Sequence, residues 1–87
     1  MNYFVYMLKS LGKDPVTYVG YTKDLEKRIN LHNNNKGAKF TRGRKWKLIY
    51  KEKHSSKKEA IFREYYIKNN RRLRNKIKNE NFNTIAL

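Results

Sequence analysis

The feature that most limits the possible folds of this chain is a short apolar run near its N-terminus. Tyr3 to Leu8 read Tyr-Phe-Val-Tyr-Met-Leu, with no charged residue among them. A run of this length that is rich in aromatic and β-branched residues is typical of a strand buried on both faces. The chain has 87 residues, enough for one compact domain with one modest core. We expect this strand to lie in that core.

Two further segments have strand patterns. The run from Val16 to Tyr21 follows the turn-forming residues of Leu11–Pro15, so it should pair with the first strand as an antiparallel hairpin. Gly20 within this run marks a bend or a close approach of the backbone. Between Trp46 and Lys51 the residues alternate, which predicts a third strand with a wetter second face. Its predicted core face consists of Trp46, Leu48 and Tyr50.

The first helix is predicted between the second and third strands. Asp24 is a good N-cap, and Leu25 and Ile29 lie four residues apart, so a helix should run from about Asp24 to His32. The segment from Lys36 to Lys45 has two glycines, five basic residues and no apolar period. It is predicted to be a loop with a strong positive potential.

The second and third helices should follow the third strand. Ser56 and Glu59 have the spacing of a capping box, so a helix should begin there and continue to about Asn69. Leu73 and Ile77 then indicate a short basic helix before an unpatterned tail. The predicted fold is α/β (α+β), a three-stranded antiparallel sheet flanked by helices. We expect one domain over residues 1–87, with a core over about 3–68 and a basic helix and tail over 69–87.

The charge of the chain predicts a polyanionic partner. Lys and Arg total 22 against 7 acidic residues, a formal charge of +15. The chain lacks a run of the roughly 20 apolar residues that a membrane-spanning helix needs, so nucleic acid is favoured over a membrane. Contacts with the phosphate backbone should weaken steeply with salt and show little sequence preference. The residues predicted to make them are Lys36, Lys39, Arg42, Arg44, Lys45, Lys68, Arg71, Arg72 and Arg74.

Residue counts also restrict the chemistry and the compartment. With no cysteine, the chain can form neither a disulfide framework nor a thiolate zinc site. Only two histidines are present, His32 and His54, which disfavours a histidine-built zinc site and leaves a hard, oxygen-ligated metal possible. The N-terminus lacks the pattern of a secretory signal, so we expect a cytoplasmic protein.

Glu64 is the most informative single residue. On a helical wheel it falls between Ala60 and Ile61 and beside Ile67, on the face that should be buried. A buried carboxylate usually has a cationic partner or a metal, because an unpaired buried charge is costly. The alternative is a position at the edge of that face with an i,i+4 pair to Lys68, worth a few tenths of a kcal/mol.

Four more residues could contribute to a phosphate-cleaving site. Arg28 and His32 lie four residues apart on the first helix, so both could reach one phosphate. The planar guanidinium of Arg28 could donate to two phosphate oxygens, and His32 could exchange a proton near neutral pH. Tyr6 and Tyr18 lie on the two strands of the hairpin and could share a site. A phenol with a pKa of about 10 needs a nearby cation to act as a base. Each pair taken alone is more typical of residues that flank or fill a core.

Four aromatic residues in or near the basic segments could stack on bases. The spacing of these residues is more typical of core packing. They are Phe40, Trp46, Tyr65 and Tyr66.

Taken together, these residues resemble the GIY-YIG nucleases, whose name records two tripeptides on a β-hairpin. The first corresponds to Phe4-Val5-Tyr6 and the second to Tyr18-Val19-Gly20. The resemblance continues in order through Arg28 with His32 and through the helix that carries Glu64, and it covers about residues 3–68. In length and in its second tripeptide the chain looks most like the small standalone bacterial members, which are related to the N-terminal nuclease domain of the excinuclease subunit UvrC.

The resemblance implies an endonuclease that hydrolyses phosphodiester bonds with one divalent ion, Mg²⁺ or Mn²⁺, held by Glu64, and that prefers DNA to RNA. It implies that Arg28 grips the scissile phosphate and that Tyr6 and Tyr18 position and deprotonate the attacking water. His32 would assist one of these tyrosines, and either tyrosine could be the base. A protein partner could supply specificity, since many relatives take theirs from an attached module.

Two departures from the family pattern bear on activity. Phe4 stands in place of a glycine, a change that affects packing more than chemistry. Tyr21 stands where the excinuclease-type domain has a lysine, which removes one aid to deprotonation. A non-catalytic scaffold that binds DNA or structured RNA through its charge is therefore the rival reading. A third reading is a basic protein that docks on an acidic protein or on the ribosome.

Overall fold

The fold is an antiparallel sheet with helices on both faces. The computed structural model describes residues 2–80, so the tail predicted beyond the third helix lies outside the described residues. The sheet has the strand order β2-β1-β3, with every neighbouring pair antiparallel. Its strands are β1 (Tyr3–Ser10), β2 (Thr17–Thr22) and β3 (Trp46–His54). This architecture confirms the predicted fold class.

Three α-helices and one short 3₁₀ turn connect and cover the strands. They are α1 (Leu25–Asn33), the 3₁₀ turn (Lys39–Thr41), α2 (Lys57–Lys68) and α3 (Arg71–Glu80). The N-caps lie where the sequence indicated, because Asp24 accepts a hydrogen bond from the Lys27 amide at 3.1 Å and Ser56 accepts one from the Glu59 amide at 3.2 Å. No α-helix formed by the described residues is both long enough and apolar enough to cross a membrane.

β1 is the central strand and is covered on both faces, as its apolar run predicted. Val5, Tyr6, Met7 and Leu8 are all buried. Val5 and Met7 face one cluster, which α2 and α3 cover with Ala60, Ile67 and Ile77. Tyr6 and Leu8 face a second cluster, which contains Trp46 and is covered by Leu25 and Ile29 of α1. The second cluster is the side on which a histidine of α1 meets the sheet.

The predicted alternation in β3 is wrong beyond Leu48. The pairing of β1 with β3 shifts by one residue between Met7 and Leu8, so that Met7 lies opposite Tyr50 and Leu8 lies opposite Leu48. Such an irregularity places two successive residues on one face. Ile49 is consequently fully buried beside Met7, and Tyr50 packs against that same cluster instead of joining Trp46 and Leu48.

The predicted buried face of α2 is also partly wrong. Ala60 and Ile67 are buried, but Ile61 is 43% exposed. Ala60 and Ile67 lie seven residues apart and so form a narrow stripe, whereas Ile61 is turned about 100° away from Ala60. Glu64 lies at the rim of this stripe, and its side chain is 20% exposed. The environment of Glu64 is therefore the edge position that was the alternative to full burial.

Candidate functional site

A chain of three hydrogen-bonded side chains forms the buried part of the site. Tyr6 on β1 and His32 near the end of α1 meet with 2.8 Å between the phenol oxygen and Nε2. On the other side of the ring, Nδ1 of His32 lies 2.9 Å from Oγ1 of Thr41. All three residues are at most 1% exposed. The chain joins the sheet, α1 and the 3₁₀ turn.

The third member of the chain determines where the protons lie. The Thr41 hydroxyl donates its single proton to the carbonyl of Ala38 at 2.8 Å, so it can only accept from His32. His32 therefore carries its proton on Nδ1, and Nε2 is free to accept. It follows that the Tyr6 hydroxyl donates to Nε2 of His32.

The backbone around these residues holds Thr41 and His32 in place. The Trp46 indole donates to the carbonyl of Thr41 at 2.9 Å. The Asn33 side chain accepts from the Trp46 amide at 2.6 Å and donates to the Trp46 carbonyl at 3.2 Å. These bonds fasten both the residue after His32 and the 3₁₀ turn to the start of β3. The imidazole is therefore fixed from both ends.

Two glycines allow the phenol and the imidazole to approach the backbone closely. A Cβ atom on Gly20 would lie 2.6 Å from the Tyr6 hydroxyl, and one on Gly37 would lie 2.8 Å from Cγ of His32. Both separations are far below ordinary van der Waals contact. Gly20 is thus a place of close approach, as one of its two predicted roles required. Gly37 has the same function beside His32.

Burial keeps the phenol and the imidazole in their neutral forms. It raises the pKa of Tyr6 to about 12, and this effect exceeds the lowering by the nearby Arg28 guanidinium. Burial also lowers the pKa of His32 to about 4, and the charge of Arg28 adds to that effect. A cation does lie beside Tyr6, as a basic phenol would require, but it does not offset burial. At neutral pH Tyr6 is a hydrogen-bond donor.

Tyr18 and Arg28 form the part of the site that solvent reaches. Both side chains are half-buried. The Tyr18 ring lies over His32, with ring centroids 4.9 Å apart, and its centroid is 6.4 Å from that of Tyr6. The pKa of Arg28 is raised by its contact with the Tyr6 hydroxyl and, to a smaller extent, by Tyr18. The structure therefore brings the guanidinium and both phenols together.

Glu64, the last of the predicted site residues, lies on α2, which covers the opposite face of the sheet from α1. Its charge is close enough to contribute to the raised pKa of Tyr6, and its only ion pair among the described residues is a loose one of 3.8 Å to Nζ of Lys68. Lys68 in turn lines a groove with Tyr18. Tyr6, Tyr18, Arg28 and His32 thus lie together, and Glu64 on α2 is connected to them through Lys68, which shares the groove with Tyr18.

The donor set around Glu64 fits only a lightly ligated ion. Within residues 2–80, no three His, Cys, Asp or Glu side chains come together to enclose a metal. Mg²⁺ usually keeps several waters and takes only one or two carboxylates, with phosphate oxygens completing its shell. One partly exposed carboxylate whose partner lysine is itself half exposed fits that requirement. Glu64 would hold such an ion, which would stabilise charge on the leaving oxygen.

The predicted basic residues differ in whether their side chains are already bonded within the protein or are exposed. The side chain of Lys45 donates to the carbonyl of Asn33 at 2.8 Å, and Arg74 donates to the carbonyls of Ile67 and Lys68. Each therefore binds the C-terminal end of a helix, where a cation is favourable. The remaining seven basic residues are exposed: Lys36, Lys39, Arg42, Arg44, Lys68, Arg71 and Arg72.

The expectation that the four aromatic residues pack in the core is wrong for three of them. Trp46 is buried as expected, at 4% exposure, but Phe40 is 58%, Tyr65 67% and Tyr66 47% exposed. The loop that carries Phe40 and the outer face of α2 have no layer of structure above them among the described residues. Only Phe40 of these three lies beside the site, with its ring stacked on Tyr18.

Two residues of the site were not predicted from the sequence. Thr41 and Gly37 lie in a loop without apolar periodicity, and neither has a motif around it. Both act on His32, one through a hydrogen bond and the other by leaving space. The only signal in the sequence is their closeness to His32 along the chain, which does not identify them without the course of the loop.

The site residues and the elements that carry them define a family of catalytic domains. They are two tyrosines on a hairpin, an arginine and a histidine on one helix, and a glutamate on a second helix. The model of the GIY-YIG catalytic domain matches residues 2–79, and the chain belongs to this family. Within it, the chain is similar to small bacterial UPF0213 proteins. One from Clostridium perfringens is 58% identical over 69 residues, which span 78% of this chain and 71% of that protein.

Two further comparisons agree. The UPF0213 protein YazA of Bacillus subtilis is 48% identical over 68 residues, covering 77% of this chain and 67% of that protein. The solution NMR structure of a UPF0213 protein from Bacillus halodurans has a TM-score of 0.57 and 39% identity, and the alignment covers 100% of this chain and 97% of the other. The shared fold is thus accompanied by substantial sequence similarity.

Proposed function

We propose that this protein is an endonuclease that hydrolyses phosphodiester bonds in DNA with the help of one divalent ion, Mg²⁺ or Mn²⁺. The observation that carries the proposal is the convergence of Arg28 and Tyr18 on the buried Tyr6–His32 pair, with Glu64 near enough for its charge to affect the pKa of Tyr6. Membership of the catalytic family supports it. The charge of +15 supports a nucleic-acid substrate.

The two tyrosines have different roles in this mechanism. Tyr6 is 1% exposed and has a raised pKa of about 12, so it neither reaches solvent readily nor gives up its proton. Tyr18 is half-buried and open to solvent. Tyr18 therefore orients the attacking water, and in its phenolate form, beside the Arg28 guanidinium, it takes the water's proton. The water oxygen bonds to phosphorus as the bond from phosphorus to the leaving oxygen breaks. Tyr6, His32 and Thr41 are positioning residues. Their hydrogen-bonded chain forms the buried surface on which Tyr18 and Arg28 lie.

Arg28 binds the scissile phosphate in this mechanism. Its guanidinium is near enough to both phenols for them to raise its pKa, and a planar fork of donors suits two phosphate oxygens at once. Donors that are fixed before the substrate arrives stabilise the charge that develops in the transition state without reorganising. The nucleophile and the phosphate are thereby held on the same side of the site.

The test is cleavage by the Glu64→Gln variant. We expect nicking of supercoiled plasmid in Mg²⁺ or Mn²⁺ by the parent, and a loss of about 100-fold or more in the variant. Binding to DNA in EDTA should stay within about twofold, because the net positive charge rises by only one unit. Glu59→Gln on the same helix is the matched control and should cut normally. Equal cleavage by Glu64→Gln and the parent would refute the mechanism.

A second measurement reports on the ion itself. Mn²⁺ is paramagnetic, so titration should broaden the NMR signals of residues around Glu64 in the parent, among them Lys68. The Glu64→Gln protein should show no selective broadening there. If the same signals also broaden in the variant, the ion is not held by Glu64.

The alternative function is that of a non-catalytic nucleic-acid-binding protein on the same scaffold. The loose Glu64–Lys68 pair favours it, because a carboxylate neutralised by lysine does not need a metal. Such a protein would bind DNA or RNA in a salt-dependent manner and would show no turnover in any divalent ion. Plasmid nicking by the parent excludes this alternative.

A further inference from the structure

One exposed aromatic ring beside the site has no function in the mechanism above. Phe40 in the 3₁₀ turn is 58% exposed. Its ring stacks on Tyr18, with centroids 6.2 Å apart and planes inclined by 22°, and it also packs against Trp46 at 6.3 Å. Because Trp46 is buried, the ring is held on a rigid base while much of it stays in solvent.

Phe40 and Tyr18 line one side of an open groove of about 530 Å³. This volume is in the range of sites that hold a small organic ligand. Val16 and the first residues of β2, up to Val19, continue the same side. A planar group of nucleobase size that entered the groove would contact the ring of Phe40 next to the residue that faces the attacking water.

The other side of the groove carries positive charge. Lys68 at the end of α2 and Arg74 and Lys78 on α3 line it together with Asn75, and the described lining contains no carboxylate. The groove therefore combines an aromatic surface with three cations. Single-stranded nucleic acid is bound by this combination, with bases stacked on aromatic rings and phosphates along the basic groove.

We propose that Phe40 stacks an unpaired base of the DNA strand that is cut, next to the scissile phosphate, while the exposed Lys68 binds the backbone of that strand and Arg74 and Lys78 add to the positive potential of the groove. This inference rests on the proposed nuclease function and names a feature of its substrate. A base in this groove is not stacked in a duplex, so cleavage should favour sites where a base is already unpaired or is easily flipped out. Phe40 is thus a specificity-determining residue beside the catalytic Tyr18.

The test compares two DNA strands with the same number of phosphates. One is a short oligothymidylate, and the other is the same backbone with abasic residues throughout. Binding is measured by fluorescence anisotropy in EDTA, so neither metal nor cleavage is involved. The parent should bind oligothymidylate at least about fivefold more tightly than the abasic strand, since stacking on one aromatic residue contributes about 1 to 3 kcal/mol per base.

Variants of Phe40 and Phe62 test whether Phe40 causes the preference for oligothymidylate over the abasic strand. Phe40→Leu keeps an apolar side chain but loses the aromatic face, so its preference for oligothymidylate should fall towards one. Phe40→Trp should keep the preference. Phe62→Leu is the matched control, because Phe62 is 72% exposed on α2 and does not line the groove. That variant should bind both strands as the parent does. Circular dichroism checks that each variant is folded.

Several results would overturn the stacking proposal. One is a parent that binds the two strands equally. Another is a preference that Phe40→Leu leaves unchanged or that Phe62→Leu reduces to the same extent. These outcomes are separable from failure of the nuclease proposal. A protein that never cuts plasmid but shows a Phe40-dependent preference would retain the stacking site, and one that cuts without that preference would retain only the nuclease site.

Discussion

The hydroxyl of Tyr6 donates to Nε2 of His32 across 2.8 Å in the interior of the protein, between the central strand and α1. The direction of this bond follows from Thr41, which occupies the other ring nitrogen. A tyrosine and a histidine that resemble a base and its helper are thus a neutral, buried pair. The difference between the buried Tyr6 and the accessible Tyr18 gives the first prediction.

Substitution of each tyrosine by phenylalanine should affect different properties. Tyr18→Phe should reduce plasmid nicking by about 100-fold or more with little change in the free energy of unfolding, because Tyr18 is only half-buried. Tyr6→Phe should reduce the free energy of unfolding by about 1 to 2 kcal/mol, since Nε2 of His32 loses its partner inside the protein. Urea unfolding and nicking assays of both variants check this. The opposite pattern would make Tyr6 the base.

The stability of the protein should depend on the protonation of His32. Its pKa is about 4 when folded and about 6.5 when unfolded, so between these values the unfolded state binds the extra proton. The contribution of neutral His32, up to about 3 kcal/mol, is therefore complete above pH 6.5 and is lost as the pH falls towards 4. Urea unfolding of the parent between pH 7 and pH 5 should show this decline.

Two variants identify the histidine responsible. His32→Gln keeps a side-chain acceptor for Tyr6 but cannot titrate, so the free energy of unfolding should be less dependent on pH in this window. His54→Gln removes the other histidine and should retain the slope of the parent. A parent slope that survives in His32→Gln but disappears in His54→Gln would contradict the assignment.

Gly37 should be intolerant of a methyl group because of His32 alone. An added Cβ would lie 2.8 Å from Cγ and 2.9 Å from Cε1 of a fully buried ring, so Gly37→Ala should lower the free energy of unfolding by about 1 to 3 kcal/mol. In a His32→Ala background the ring is absent and the same substitution should cost much less. A double-mutant cycle by urea unfolding measures the coupling. Equal costs in both backgrounds would show that the loop conformation, not the imidazole, requires glycine.

Glu52 and Glu64 are similarly buried but should have opposite functions. The Glu52 carboxylate accepts from Tyr50, from Arg63 at 2.7 Å and is 2.9 Å from Nε2 of His54. Burial raises the pKa of Glu52, but the hydrogen bonds from Arg63, Tyr50 and His54 outweigh that effect and lower it overall. Glu64 has only the loose pair with Lys68 within the described chain.

The matched substitutions to glutamine separate these functions. Glu52→Gln should lower the free energy of unfolding by about 1 to 3 kcal/mol, because three donors share the lost charge. The change in Glu64→Gln should be below about 0.5 kcal/mol, although this variant should lose nicking. Glu52→Gln should still cut DNA at a temperature at which it is folded. Stability losses of equal size would show that Glu64 is also a structural residue.

The sequence alone determined the three strands and three α-helices and the order in which they occur. Tyr3–Leu8 was predicted to be a strand covered on both faces, because each of its faces is apolar and the run is short and rich in aromatic residues. Asp24 and Ser56 fixed the helix starts through local hydrogen bonds, which depend on neighbours in the chain. The order of two tyrosines, an arginine, a histidine and a glutamate was enough to predict the family.

Only the tertiary structure decided the state of each site residue. Whether Tyr6 or Tyr18 meets solvent depends on α1 covering one phenol and leaving the other at the edge, which no local pattern specifies. The one-residue shift in β3 likewise depends on pairing with β1. Thr41 fixes the protons of His32 because a loop without periodicity folds back over α1. Burial and long-range hydrogen bonds set the pKa of Tyr6 and of His32, and both depend on contacts between residues far apart in the chain.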